Sequence, residues 1–167
     1  VADHAITLSD FNTNSGEAMA MGEKSPIAIT NPTAAGKLAL AEAVINLLPA
    51  GVAKLSDIKI SANWMASPDD SQRKSDLFNT VKELTQKVCK PWRIAIPVGK
   101  DSLSMKTIWQ NNKKTNLSPQ SLVISAFAKI KNVSNSITPQ LINKDELVLV
   151  YLDLSKNKKR LGIILSM

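Results

Sequence analysis

The stretch "LALAEAVINLLPAG", residues 38 to 51, is apolar almost all the way round a helix, broken only by Glu42 and Asn46. A helix with apolar residues on every side has no face for water, so most of its surface must be covered by other layers of the chain. Pro32 and Thr33 supply a start signal, and Pro49 and Gly51 a stop, which bounds the helix at about 32 to 48. At 167 residues and 44% apolar content, the chain can bury one core, or one domain plus a piece of a second. An ionised carboxylate on such a helix is prohibitive without a partner, so Glu42 must meet a cation, a set of donors or a metal. Asn46 lies four residues on and shares its face. Asp3, a lone acid in an apolar strand, offers a third oxygen. Oxygen ligands without a His or Cys cluster suit Mg²⁺, which usually arrives with a phosphate. The competing reading is an ion pair between Glu42 and a lysine such as Lys54 or Lys59, with Asn46 capping or facing water. Spacing alone favours that reading, because polar i, i+4 pairs are common on helices.

The rest of the chain reads as layers for this helix. "VADHAIT" has the look of a short strand, and "LSDFNTNSGEAMAMGEKSP" (8 to 26) reads as a long loop. Gly16 and Gly22 would let that loop approach a ligand closely or simply turn tightly, and Met19 and Met21 read as core filler. "DIKISANWM" (57 to 65) is β-branched and alternating. "SPDDSQ" caps a second helix from about Arg73 to Lys90, in which Leu77, Val81, Leu84 and Val88 recur at helical spacing with Phe78 beside them. "WRIAIPV" (92 to 98) and "SLSMKTIW" (102 to 109) read as strands flanking a "GKD" turn, which would put Lys100, Asp101 and Ser102 on one exposed loop. This is not a phosphate-binding loop of the Walker type, which needs longer glycine spacing and a following helix. "QSLVISAFAKI" (120 to 130) is the clearest strand. The order strand, helix, strand, helix, three strands predicts an α/β (α+β) fold, a mixed or antiparallel sheet with helices on one face. The polar stretch 131 to 146, with Pro139, marks a boundary. It divides the chain into a domain at 1–131, a linker at 132–145, and the opening of a second unit at 146–167.

Several function classes are disfavoured. The net charge of +7 comes from scattered lysines, with tight runs only in "NNKKTN" and "SKNKKR". With 4% aromatic residues not interleaved with them, no stacking platform for nucleic acid is visible. The apolar runs fall short of the roughly 20 residues that span a bilayer. Cys89 stands alone, so no internal disulfide forms, and a cytoplasmic location is expected. His4 has no nucleophile at a recognisable elbow. The start at Val1 and the end in "GIILSM" read as a segment of something longer.

Taken in order, "VADHAIT", "GEAMAMGEKSPIAI", "AEAVINLL", "DIKISANWMAS", "IPVGKDSLSMKT" and "SPQSLVISAFAKI" closely resemble one region of formylglycinamide ribonucleotide amidotransferase, also called phosphoribosylformylglycinamidine synthase. The resemblance covers nearly all of residues 1 to 154. In that family the whole enzyme uses ATP and glutamine-derived ammonia to turn a formamide into an amidine in purine synthesis. Its synthetase part has two related halves, each built like aminoimidazole ribonucleotide synthetase from an N-terminal and a C-terminal domain. The resemblance implies the N-terminal domain of the second half, which holds an auxiliary nucleotide (ATP or ADP) with Mg²⁺. The family's metal ligands fall on Asp3, Glu42 and Asn46. Ala2 matches a nucleotide-contacting position, and Lys100, Asp101 and Ser102 enter as candidate nucleotide contacts. Asn31 stands where many members have aspartate, and "RLGIILSM" lacks the glycine-serine pattern expected after "LG". The implied partners are nucleotide, the remaining domains of the synthase and, for this piece alone, a second copy of itself. The implied activity of the isolated piece is none, since the glutaminase nucleophile and the reacting ATP belong to other parts.

Overall fold

The computed structural model describes residues 3–141 together with Val148, Val150, Tyr151 and Asp153. Among the described residues there are seven strands: β1 (His4–Leu8), β2 (Gly16–Glu23), β3 (Lys59–Met65), β4 (Ala95–Ser102), β5 (Lys106–Trp109), β6 (Lys114–Leu117) and β7 (Ser121–Ile130). They are joined by α1 (Ser25–Ala28), α2 (Pro32–Leu47) and α3 (Ser71–Leu84). Five strands make one mixed sheet in the order β1-β2-β7-β3-β4, and β5 with β6 forms a separate hairpin. Every pair in the large sheet is antiparallel except β3–β4, which α3 joins as a crossover. The expected α/β (α+β) class is what the chain adopts.

Side chains that alternate across the sheet decide which face carries the helices. Leu122, Ile124 and Ala126 of β7 and Ile60, Ala62 and Trp64 of β3 point to the buried side. There they meet Leu40, Val44 and Leu47 of α2 and Leu84 of α3 in a single core. Cys89 is buried in it as a small apolar residue, and burial pushes its thiol up. Asn31 caps α2 by accepting the Ala34 N–H at 2.9 Å, and Asp70 caps α3 through the Arg73 N–H at 2.8 Å. Asparagine and aspartate are equally good at this position, so Asn31 keeps the helix start that an aspartate would give.

The structure corrects four expectations. Residues 16–23 are the strand β2 rather than part of a loop, with Gly16, Ala18, Ala20 and Gly22 inward and Glu17, Met19, Met21 and Glu23 outward. At its end α2 lies directly on the strand: a Cβ at Gly22 would stand 2.0 Å from Ala39 O and 2.5 Å from Ala43 N, whereas one at Gly16 would meet Thr7 O of β1 at 2.3 Å. Met19 and Met21 therefore face outward, at 42% and 53% exposure. Residues 99–101 are not a hairpin turn. β4 continues through Ser102 as an edge strand, pairing Asn63 with Lys100 and Trp64 with Asp101. The turn that does occur lies at Gln110, Asn111 and Asn112, whose positive φ values close the β5–β6 hairpin, so half of "NNKKTN" is strand. Finally, α2 is not covered all round. Leu38 and Ile45 are exposed at 44% and 54%, and Phe78 of α3 is also exposed, because the sheet covers one side of α2 and α3 only one flank.

The α2–β2 approach at Gly22 is backbone on backbone. Gly22→Ala should destabilise the domain by about 1–3 kcal/mol through overpacking. Gly99→Ala, where a Cβ meets nothing within 4 Å, should be close to neutral. Urea titration of both variants checks this, and equal midpoints would contradict it.

Candidate cation site at the end of strand β2

The end of β2 delivers two backbone groups to α2. Met21 O accepts the side-chain amide N–H of Asn46 at 3.1 Å, and the Glu23 N–H donates to Glu42 Oε2 at 2.8 Å. The helix turn thus sets both side chains against one strand end, as the four-residue spacing requires. The other oxygen, Glu42 Oε1, accepts from the Lys24 ammonium at 2.5 Å, with the two side chains 31% and 23% exposed. Asp3 immediately precedes β1, whose His4 pairs with Ala20 of β2. It shares a cleft of about 260 Å³ with Asn46, Ile45 and Ile137. The structure therefore brings Asp3 and Asn46 to one cleft and sets Glu42 one helical turn away.

The carboxylate does have a lysine partner, but it is Lys24, not Lys54 or Lys59. Lys59 turns away and donates to Ser56 O. Partial burial raises the Glu42 pKa, but hydrogen bonds from Lys24 and from the Glu23 N–H outweigh it and hold the group below the ordinary glutamate range. Asn46 neither caps nor merely faces water. Its Nδ2 is engaged with Met21 O, which leaves Oδ1 as the oxygen that can meet a cation.

These donors suit a hard cation. Two carboxylates and one amide oxygen are the ligand types of Mg²⁺, and a Mg²⁺ ion takes only part of its shell from protein and the rest from phosphate and water. Among the described residues no group of three or more His, Cys, Asp and Glu side chains could hold a metal, so the set depends on Asn46. Lys24 was not legible as part of this site. Its sole signal is a cation directly after an alternating segment, and its partner lies 18 residues away.

Lys100, Asp101 and Ser102 are elsewhere. They lie on β4, the edge of the sheet opposite β1, and four strand spacings of about 4.8 Å put roughly 19 Å between the two edges. Lys100 and Asp101 are exposed, and the Lys100 ammonium reaches Ser102 Oγ at 3.4 Å. Ala2 lies outside the described residues. Two larger clefts hold none of the predicted residues. One, of about 640 Å³, lies at the start of α3 beside Arg73 and Gln120, and one of about 890 Å³ lies beside Phe127, Lys129 and Lys131.

A mixed five-stranded sheet with its helices on one face makes this an α+β domain, with Glu42 and Asn46 set where the first long helix meets the second strand. The sequence profile of the FGAR-AT PurM_N-like domain matches residues 1–129, and the chain belongs to that family. Solved structures from Thermotoga maritima share the fold. PurLQS superposes with a TM-score of 0.63 at 19% identity over 83% of this chain and 21% of that one. PurL complexed with FGAR gives 0.64 at 17% identity, again over 83% of this chain and 21% of that one. PurL complexed with ATP gives 0.62 at 19% identity, over 83% and 22%. The chain thus spans about a fifth of the length of these proteins.

The position of Glu42 fixes a pH dependence. Its folded-state pKa lies below the unfolded one, so its contribution to stability is present in full above the ordinary glutamate range. That contribution is lost as pH falls through the lower folded value. Glu42→Gln should cost about 1 kcal/mol at neutral pH in metal-free buffer, a figure already reduced for partial exposure. The gap to the parent should narrow as both are acidified below the ordinary glutamate range. A constant gap across that range, in urea titrations at each pH, would contradict the assignment.

Proposed function

We propose that this domain carries the protein's share of an auxiliary Mg²⁺-nucleotide site, with Asp3, Glu42 and Asn46 as the metal ligands. The parent would be an ATP- and glutamine-dependent ligase that converts formylglycinamide ribonucleotide to its amidine in purine biosynthesis in the cytoplasm. The observation that carries this reading is the pairing of Asn46 Nδ2 with Met21 O and of Glu42 Oε2 with the Glu23 N–H. Together these bonds fix two oxygen donors on one turn of α2, next to the cleft that holds Asp3. Family membership over residues 1–129 supports it, as do the ATP and FGAR complexes of fold relatives. When bound, the cation would neutralise nucleotide phosphate. The chain's own part is to present two carboxylates and an amide oxygen in a fixed arrangement. Ala2 is assigned to the nucleotide. Lys100, Asp101 and Ser102, on the far edge, could serve only a ligand that reaches across the sheet or a different one. The domain boundary belongs to the same proposal: residues 1–131 as the folded unit, 132–145 as linker and 146–167 as the start of a following unit. Alone, this piece catalyses nothing, since the reading gives it neither a glutaminase nucleophile nor the reacting ATP.

The alternative is a structural or dimerisation half-domain that binds no nucleotide itself. The observation in its favour is the open face of the sheet, where Met19, Met21, Val98 and Phe127 are all exposed. The same face supports a homodimer for the isolated piece, burying more than the roughly 1,000 Å² of a specific interface. Light scattering at high concentration should give twice the chain mass, and a clean monomer would count against it.

The two readings part on ligand linkage. At about a hundred times its dissociation constant, a ligand bound only to the folded state adds about 2.7 kcal/mol. Mg²⁺ with ATP should raise the melting temperature, and Glu42→Gln should abolish the Mg²⁺-dependent part, since it keeps the shape but removes the anionic ligand. Equal shifts for parent and variant would sink the metal assignment and leave the structural half-domain.

A further inference from the structure

We propose that Lys24 is the resident counter-ion of the cation site: its ammonium occupies Glu42 until a divalent cation displaces it. This rests on the reading of Glu42 as a metal ligand and concerns what controls that ligand. Both oxygens of Glu42 are committed in the structure, Oε2 to the Glu23 N–H and Oε1 to Lys24. A backbone N–H is fixed by the strand, so Oε2 stays where it is. The ammonium sits at the end of a flexible stem and is the partner that can leave. Oε1 is therefore the oxygen that a cation can take, and only after Lys24 has moved.

The local bonding lets the ammonium depart without unravelling the chain. Between β2 and α1, Lys24 O accepts the Ile27 N–H at 3.1 Å, and the Glu23 carboxylate accepts the Ser25 N–H. Neither bond involves the Lys24 side chain. The pair holds the Glu42 carboxylate in place. That prepares the ligand and also competes with the metal for it. The displaced ammonium remains beside the bound cation, where it would meet an anionic group such as a phosphate that the cation carries. Lys24 is thus a positioning residue that sets metal affinity through Glu42, and it need not touch the metal.

The competition has a size. If the pair is closed about four-fifths of the time, only a fifth of molecules are competent, and removing it tightens apparent metal affinity about fivefold. The probe is Mn²⁺ alone, without nucleotide, followed by electron paramagnetic resonance of the free ion. Parent, Lys24→Met, Lys24→Gln, Lys24→Arg and Glu42→Gln are compared at one pH. Both neutral variants should bind Mn²⁺ about fivefold tighter, Lys24→Arg should stay within about twofold of the parent, and Glu42→Gln should lose binding. Amide NMR of the parent on adding Mg²⁺ should shift the Glu23 and Lys24 signals while those of Ser25 and Ile27 stay put. If the neutral variants bind Mn²⁺ no tighter than the parent while Glu42→Gln loses it, the counter-ion role is overturned and the metal site stands. If no variant and no parent binds Mn²⁺, or Glu42→Gln binds as the parent does, both fall.

Discussion

The contact on which the rest of the structure depends is the backbone of α2 lying on the backbone of β2 at Gly22. No side chain fits between Gly22 and Ala39 O, so the helix approaches the sheet closely. That approach demands small residues on both sides. It finds them in Gly22 of the strand and in Ala39 and Ala43 of the helix. Close packing between backbones also lets short polar side chains on α2 reach the backbone at the end of β2. Asn46 and Glu42 bond directly to Met21 O and the Glu23 N–H because the helix is held that close. The packing constraint and the candidate site are one feature seen from two sides.

Electrostatics then decides how the side chains at the end of β2 are held. A carboxylate about one-third exposed is not costly to ionise, but its hydrogen bonds fix its direction. Glu42 is held by one rigid donor and one flexible cation, an arrangement in which the flexible partner can exchange. Asn46 is held by its nitrogen, which commits the amide orientation and frees the oxygen. Asp3 lies at the open mouth of the adjoining cleft and is exposed. The three donors differ in how tightly the protein holds them, from the helix outward to the chain's first strand.

Much of this was legible in the sequence, and the failures have physical causes. Glu42 and Asn46 stood out because an otherwise apolar helix makes any polar residue conspicuous, and their shared face follows from helical spacing. Strand β7 and the cap within "SPDDSQ", which is Asp70, were readable from local chemistry. β2 was not, because its inward residues are Gly and Ala, which carry little strand preference. Residues 99–101 of the edge strand β4 were read as a turn because Gly-Lys-Asp is common in turns, whereas on an edge the glycine meets nothing and costs little. The exposed flank of α2 at Leu38 and Ile45 was hidden for another reason. Hydrophobic pattern shows that a helix is apolar, and only the arrangement of layers shows which side they leave bare. Lys24 was invisible as a partner because its pairing with Glu42 joins positions 18 residues apart through the sheet.

The central claim is that Asp3, Glu42 and Asn46 together take a hard cation at the end of β2. The most direct measurement is a crystal structure of the domain grown with Mn²⁺ and a non-hydrolysable ATP analogue, with anomalous scattering used to locate the metal. The account predicts one anomalous peak with Glu42 Oε1, Asn46 Oδ1 and an Asp3 oxygen at coordination distance, the nucleotide phosphates beside it and Lys24 turned away from Glu42. A metal and nucleotide found at Lys100–Ser102 on the opposite edge, with the Lys24–Glu42 pair intact, would contradict it.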